Sequence, residues 1–463
     1  MSSDIGMVKM MAEVVWHLLT GAVVSWVGLN YGLAQIAQNT VQAAEKGLAS
    51  SIAEVAPAVT PLSPAPSLTK PIDEPLSESW AAYRSRFIQA DGRVIDRESQ
   101  DRTVSEGQAY AMLRAVLADD RTTFALTLNW AEANLQRRPP LVKPAPDPAP
   151  EAAPQSTSQP PSTPDAPLDS LWAWHWGQRE AGDWGILDSN FASDADLDAA
   201  TALILASRRW HRPDYLELAR TKLKDLWDYS TVTASGRRPK RYFLPGPIDS
   251  FQPAPDQIYL NPSYLAPAAF RLFAQVDPGR DWKSLVDSSY QVLEDSSQLS
   301  MVKLPSDWVV LDLKTGRYSA PATDSTLRST YSFDAFRVWW RLAMDVVWFD
   351  EPRAKAYLAE HLPYLQKLWR DGRRIPARIN LRGAATASYE ATSQYAMLYS
   401  ALAITDPAMA AEILEQKLLP AYQDGIWDND RAYYTQNLVW LGLYWADEHL
   451  DQHLADEHQI RGH

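Results

Sequence analysis

From residue 80 to residue 445, apolar side chains recur at three- and four-residue spacing in one segment after another, and no sustained alternating pattern competes. That period is the mark of helices with one buried face. It predicts helices over 80–87, 109–117, 124–135, 197–210, 215–227, 267–273, 282–293, 335–347, 354–368, 389–402, 408–419 and 438–445. About a dozen helices joined by loops rich in Pro, Gly, Asp and Asn can close into six antiparallel hairpins. The expected fold is therefore all-α, an (α/α)6 toroid whose inner helix ends frame a cleft.

Three stretches break this pattern and divide the chain. Residues 1–36 contain an apolar run, 12–35, interrupted only near its start by Glu13 and His17. Its uninterrupted part is long for a secretory h-region and short for a full span, and no clean Ala-x-Ala site follows. An export signal or membrane anchor is expected, with an amphipathic helix as the alternative. Residues 37–75 turn to Ala, Pro and Ser, a composition that cannot bury a core and reads as an extended linker. A catalytic-size domain, 76–463, remains. Within it, 139–167 (PAPDPAPEAAPQSTSQPPSTPDAP at its centre) reads as a surface insertion rather than a domain boundary, because only about 60 residues of folded sequence precede it.

Charge and composition then exclude function classes. The formal net charge of −13 argues against nucleic acid or an anionic membrane surface as partner, since both need clustered Lys and Arg. With no Cys, the chain has no disulfides, thiolate metal sites or Cys nucleophiles. Its 19 Trp exceed what a core of this size needs, and exposed indoles are good platforms for the C–H faces of sugar rings.

Against that background three acidic segments stand out. Glu106 lies in Arg-Thr-Val-Ser-Glu-Gly-Gln-Ala-Tyr, at the start of a helix. Thr103 and Glu106 fit a capping box, as do Ser105 and Gln108; the second register would leave Glu106 free. As a general acid it would need a raised pKa, although a helix N-terminus lowers it, so burial would have to win. Asp194, Asp196 and Asp198 open a second helix, and helical geometry places Asp194 and Asp198 on one face with Asp196 elsewhere. The D-x-D-x-D pattern is not a calcium loop, because Ala199 and Leu205 stand where Gly and Glu are required. Capping and dipole effects are the alternative there. Asp334, in Tyr331-Ser-Phe-Asp-Ala-Phe-Arg337, can pair with Arg337 one turn on, which would keep a catalytic base ionised.

The three segments, in this order, resemble glycoside hydrolase family 8, a family of endo-acting cellulases and relatives that cut lichenan, xylan or chitosan. The resemblance runs from about residue 76 to 445. Ser105-Glu-Gly-Gln-Ala-Tyr110, Ala192-Ser-Asp-Ala-Asp-Leu-Asp198 and Tyr331-Ser-Phe-Asp-Ala-Phe-Arg337 carry it. It implies Glu106 as general acid, Asp334 as general base and Asp194 as the residue that holds the sugar at the cleavage subsite. Leu171-Trp-Ala-Trp-His-Trp-Gly177 and Asn261-Pro-Ser-Tyr264 are similar to family stretches, which implies substrate contacts at Trp174, Tyr264, Tyr331 and Arg337. The bacterial cellulose-synthesis-associated cellulases look most similar. The resemblance thus implies an inverting endo-β-1,4-glucanase acting on cellulose or a related β-glucan, exported to the periplasm or cell envelope and associated with a cellulose synthase or export complex. No metal or cofactor is implied. Departures are the anchor-like N-terminus, the Pro-rich insertion and the Arg-rich 372–385 stretch, of which the last two bear on substrate range. The alternatives are a family-8-type licheninase, xylanase or chitosanase, a catalytically idle glycan-binding subunit, and a polysaccharide lyase. A lyase would want a basic cleft and releases an unsaturated, ultraviolet-absorbing product.

Overall fold

The structure, a computed structural model, describes residues 73–138, 167–234 and 239–445. The expected anchor, all but the last residues of the linker, and the insertion apart from its final residue lie outside the described residues.

Thirteen helices of seven residues or more follow one another among the described residues: α1 (Asp73–Phe87), α2 (Ser105–Leu117), α3 (Arg121–Asn134), α4 (Ser193–Trp210), α5 (Pro213–Ser230), α6 (Pro267–Val276), α7 (Trp282–Ser297), α8 (Arg337–Phe349), α9 (Pro352–His361), α10 (Pro363–Gly372), α11 (Thr392–Thr405), α12 (Pro407–Ile413) and α13 (Tyr433–Tyr444). In the order α2, α4, α6, α8, α11, α13 each packs on the next, and α13 returns to α2. This closed inner ring explains why α4, α11 and α13 read as apolar or small on nearly every side: Leu197 to Ala206, Gln394 to Leu402 and Thr435 to Tyr444 are buried throughout. The partners α3, α5, α7, α9 and α12 lie outside and bury one stripe each, as with Tyr215, Ala219, Leu223 and Leu226 of α5. The toroid expected from the period is present. Its sixth hairpin is split between the chain's two ends, with α1 as the outer mate of α13.

Boundaries differ where Pro intervenes. The helix expected over 354–368 is two, α9 and α10, because Pro363 lacks the N–H and the ring room that a continuous helix needs. The Trp-rich 171–177 segment belongs to no helix. It forms β2 (Ala173–Gln178), which pairs with β3 (Trp184–Phe191) and with β1 (Thr103–Val104), antiparallel throughout. These short strands, with four other small sheets among the described residues, line the loops at the ring's ends. They are too brief to leave an alternating pattern in the sequence.

The closure of α1 and α13 on α2 is held by a buried cation. The Arg114 guanidinium donates to Asn437 (3.1 Å) and Ser79 (3.5 Å), and its carbon lies 5.1, 4.4 and 5.1 Å from the ring centres of Trp80, Tyr83 and Trp440. Burial lowers its pKa to about 9. Each such ring contributes about 0.5–2 kcal/mol to a desolvated cation. Arg114→Ala is therefore expected to destabilise the fold by about 2–4 kcal/mol, read as a lower midpoint of chemical denaturation. An unchanged midpoint would show that the ring closes without it.

Candidate active site

The first turns of α2, α4, α8 and α13 meet at one point. Arg337, the first residue of α8, is 1% exposed. Its Nη1 donates to Glu106 Oε2 (2.6 Å) at the head of α2 and to Asp194 Oδ2 (3.0 Å) at the head of α4. The same nitrogen donates to the Tyr110 hydroxyl (3.3 Å), while Nη2 donates to Asp334 Oδ1 (2.7 Å) just before α8. One turn along, Arg341 pairs with Asp198 through both terminal nitrogens. Two residues four apart on α4 thus meet two residues four apart on α8, so the helices run in register. Asp196 faces the other way, as helical geometry predicts, and takes Lys222 of α5 (3.2 Å) and the Trp172 amide (3.2 Å).

Neither helix start places a carboxylate at its N-cap, although Asp194 Oδ1 accepts the Ala195 amide within its own first turn (2.9 Å). Val104 and Ala192 occupy the N-cap positions and make no side-chain cap bond. The competing capping-box reading of Glu106 therefore fails, and its carboxylate is free for the ring's axis. Its second oxygen accepts from the Tyr433 hydroxyl of α13 (3.2 Å). Burial lifts Glu106 to a pKa of about 7; the Arg337 charge pulls down, Asp194 and Asp334 push up, and the Tyr433 bond pulls down. Burial likewise raises Asp194 to about 6, with Arg337 opposing. In the competition posed by the sequence, burial outweighs the helix terminus.

Asp334 sits in the turn that leads into α8, where Phe336 N donates to Ser332 O (3.1 Å) and Arg337 N donates to Asp334 O (3.0 Å). Glu106 and Asp334 do not touch; a single guanidinium bridges them.

Of the expected sugar contacts, Arg337 reaches the carboxylates through hydrogen bonds. Tyr264 is 2% exposed, with its ring centre 5.4 Å from the Arg337 guanidinium carbon. Tyr331 lies behind the site, where its hydroxyl accepts from Trp339 Nε1 (2.9 Å). Trp174 is 3% exposed and donates from Nε1 to Asp188 (2.5 Å), so it presents no open ring face here. The open indole of the same hairpin is Trp184, 42% exposed and stacked on Trp176 at 5.2 Å. Sequence reasoning missed Tyr433, Tyr110 and Arg341, which approach only through ring closure or inter-helix register. It also missed Asp307, a buried carboxylate behind Asp334, which stands in a Pro-Ser-Asp-Trp loop with no periodic or spacing signal.

Comparisons with known proteins agree with this geometry. Residues 57–143 and 166–448 match the sequence model of Glycosyl hydrolases family 8, so the match is interrupted across most of the Pro-rich insertion. An endoglucanase of Xanthomonas axonopodis pv. citri is 32% identical over 283 residues, 61% of this chain and 63% of that protein, so the chain spans just under two thirds of it. An endoglucanase of Salmonella typhi is 30% identical over 295 residues, 64% of this chain and 69% of that protein. The crystal structure of an endo-1,4-D-glucanase from Vibrio fischeri superposes with a TM-score of 0.64 at 25% identity, covering 79% of this chain and 94% of that one. A family 8 endoglucanase from Klebsiella pneumoniae superposes with a TM-score of 0.59 at 27% identity, covering 78% and 97%. With the toroid, the three acidic segments and the profile match in agreement, this chain belongs to family 8 of the glycosyl hydrolases.

Proposed function

We propose that the chain is an inverting endo-β-1,4-glucanase that hydrolyses cellulose or a related β-glucan. The observation that carries this reading is the convergence of Glu106, Asp194 and Asp334, from three distant segments, on the one guanidinium of Arg337. In this scheme Glu106 gives its proton to the glycosidic oxygen as the bond to the anomeric carbon breaks. Asp334 takes a proton from a water that attacks that carbon from the opposite face. Glu106 ends as carboxylate, Asp334 as acid, and the new hemiacetal has the α configuration. Asp194 holds the ring at the cleavage point. The endoglucanase names of the relatives and the 25–27% identity of the two crystal structures support the substrate class.

The test is product stereochemistry. Residues 76–463 incubated with carboxymethyl-cellulose, lichenan, xylan and chitosan, with the new reducing end followed by NMR, should release α-anomer from a β-1,4-glucan first. A β-anomer would sink the inverting scheme, and release from xylan or chitosan alone would shift the reading to those relatives' substrates.

The pH profile tests the acid separately. Glu106 works only while protonated, and burial holds its pKa near 7. kcat/KM is therefore expected to fall about tenfold per pH unit above roughly pH 7, as the proton is lost. A profile flat to pH 9 would remove Glu106 from that role.

We further propose that residues 12–35 attach the enzyme to the cell envelope, with 37–75 as its tether, and that it trims glucan beside a synthase or export complex. The apolar run and the Ala/Pro-rich composition support this. Among the described residues no helix is long and apolar enough to cross a membrane. Recovery of the full chain in a soluble fraction without detergent would count against attachment.

A further inference from the structure

We propose that a fourth carboxylate, Asp307, is a positioning residue for the base: it fixes the loop that carries Asp334. The proposal rests on the reading of Asp334 as base.

Asp307 is 7% exposed and lies in the segment between α7 and the turn that opens α8. Its Oδ1 accepts the amide of Ser332 (3.2 Å) and the amide of Ala335 (2.8 Å). Its Oδ2 accepts the Thr330 hydroxyl (3.0 Å) and, closer still, the Ser332 hydroxyl. The Ala335 amide belongs to the peptide bond that follows Asp334, and Ser332 stands two residues before it. Asp334 is therefore bracketed on both sides by groups anchored to one carboxylate. The backbone adds a further tie, since Asp307 N donates to Thr330 O (2.7 Å).

Four donors saturate a carboxylate, which has about four lone-pair sites and no proton of its own to place. A neutral acid would have to turn one of those donors away, so the hydrogen bonds favour the ionised form. Burial and the neighbouring Asp334 charge oppose them and lift Asp307 to about 7. The charged groups that face Asp334 are thus Arg337 on one side, with Glu106 and Asp194 beyond it on the same guanidinium, and Asp307 on the other.

The experiment is a double-mutant cycle in the full chain with Asp307→Asn and Asp334→Asn, read as kcat and KM. Asp307→Asn keeps the shape and removes the charge. It is expected to lower kcat about 10–100-fold at nearly constant KM. Added to Asp334→Asn, it should lower the residual rate no further, because a residue that acts through Asp334 has nothing left to act on. Ser332→Ala, which removes one of the four anchoring bonds, should lower kcat by less than Asp307→Asn does. Wild-type kcat in Asp307→Asn overturns the proposal. So does an additive loss in the double variant, or a loss of kcat matched by an equal rise in KM. Wild-type turnover by Asp334→Asn alone would instead overturn the base assignment, and is distinguishable from each of these.

Discussion

Glu106→Gln is expected to lower kcat on a β-glucan polymer by about 10²–10⁴-fold, with the fold unchanged, because the amide keeps the hydrogen bonds and carries no transferable proton. The amide oxygen can still accept from Arg337 or from Tyr433, the two partners of the native carboxylate. Asp334→Asn should cost a similar factor for the opposite reason, since nothing then accepts the proton from water. The two losses separate with the leaving group. An aryl cellobioside whose phenolate departs without protonation should recover much of the rate in Glu106→Gln and none in Asp334→Asn. The assays are steady-state rates on both substrates, with thermal midpoints as the control for folding. Equal recovery in both variants would exchange or dissolve the two roles.

The second large effect is expected at Arg337. Arg337→Met removes the one cation shared by Glu106, Asp194 and Asp334, leaving three buried carboxylates without their counter-charge. Breaking a buried pair in this way costs about 3–5 kcal/mol. The cost should depend on pH in a definite direction. Glu106 is raised from 4.5 to about 7 and Asp194 from 3.8 to about 6 with Arg337 pulling both down, so its loss raises them further. A carboxyl whose folded pKa exceeds its unfolded value binds its proton more tightly when folded. Its favourable contribution is present in full below the unfolded pKa and is lost as pH rises through the folded one. The deficit of Arg337→Met relative to the native chain should therefore be smallest near pH 4–5 and largest above about pH 7. Thermal midpoints of both proteins across that range measure it. A deficit equal at pH 5 and pH 8 would falsify the shared-cation account.

How far the site could be read in advance differs from residue to residue. Asp194 and Asp198 were assigned to one face and Asp196 to another from their spacing alone, and Arg337 and Arg341 receive the first pair while Lys222 receives the third. The Asp334–Arg337 pair was legible for the same reason: three residues span one turn. Trp174 was not legible in this way. An indole in a Trp-rich run can stack on a sugar or fill a wall, and the choice depends on a hairpin whose strands leave no long alternation to read.

The helices of the toroid were legible from a 3.6-residue period maintained over most of the chain, and the acidic clusters from their place at helix starts. Tertiary structure alone decided whether Glu106 caps its helix or faces the axis, and whether its carboxyl stays near the ordinary value or rises to about 7. It alone decided that Tyr433, 327 residues on, would donate to Glu106, and that Asp307 would anchor Asp334. The physical reason is range. Periodicity and capping act within one or two turns of chain, whereas burial and the charge of Arg337 exist only after the ring has closed and removed water from its axis.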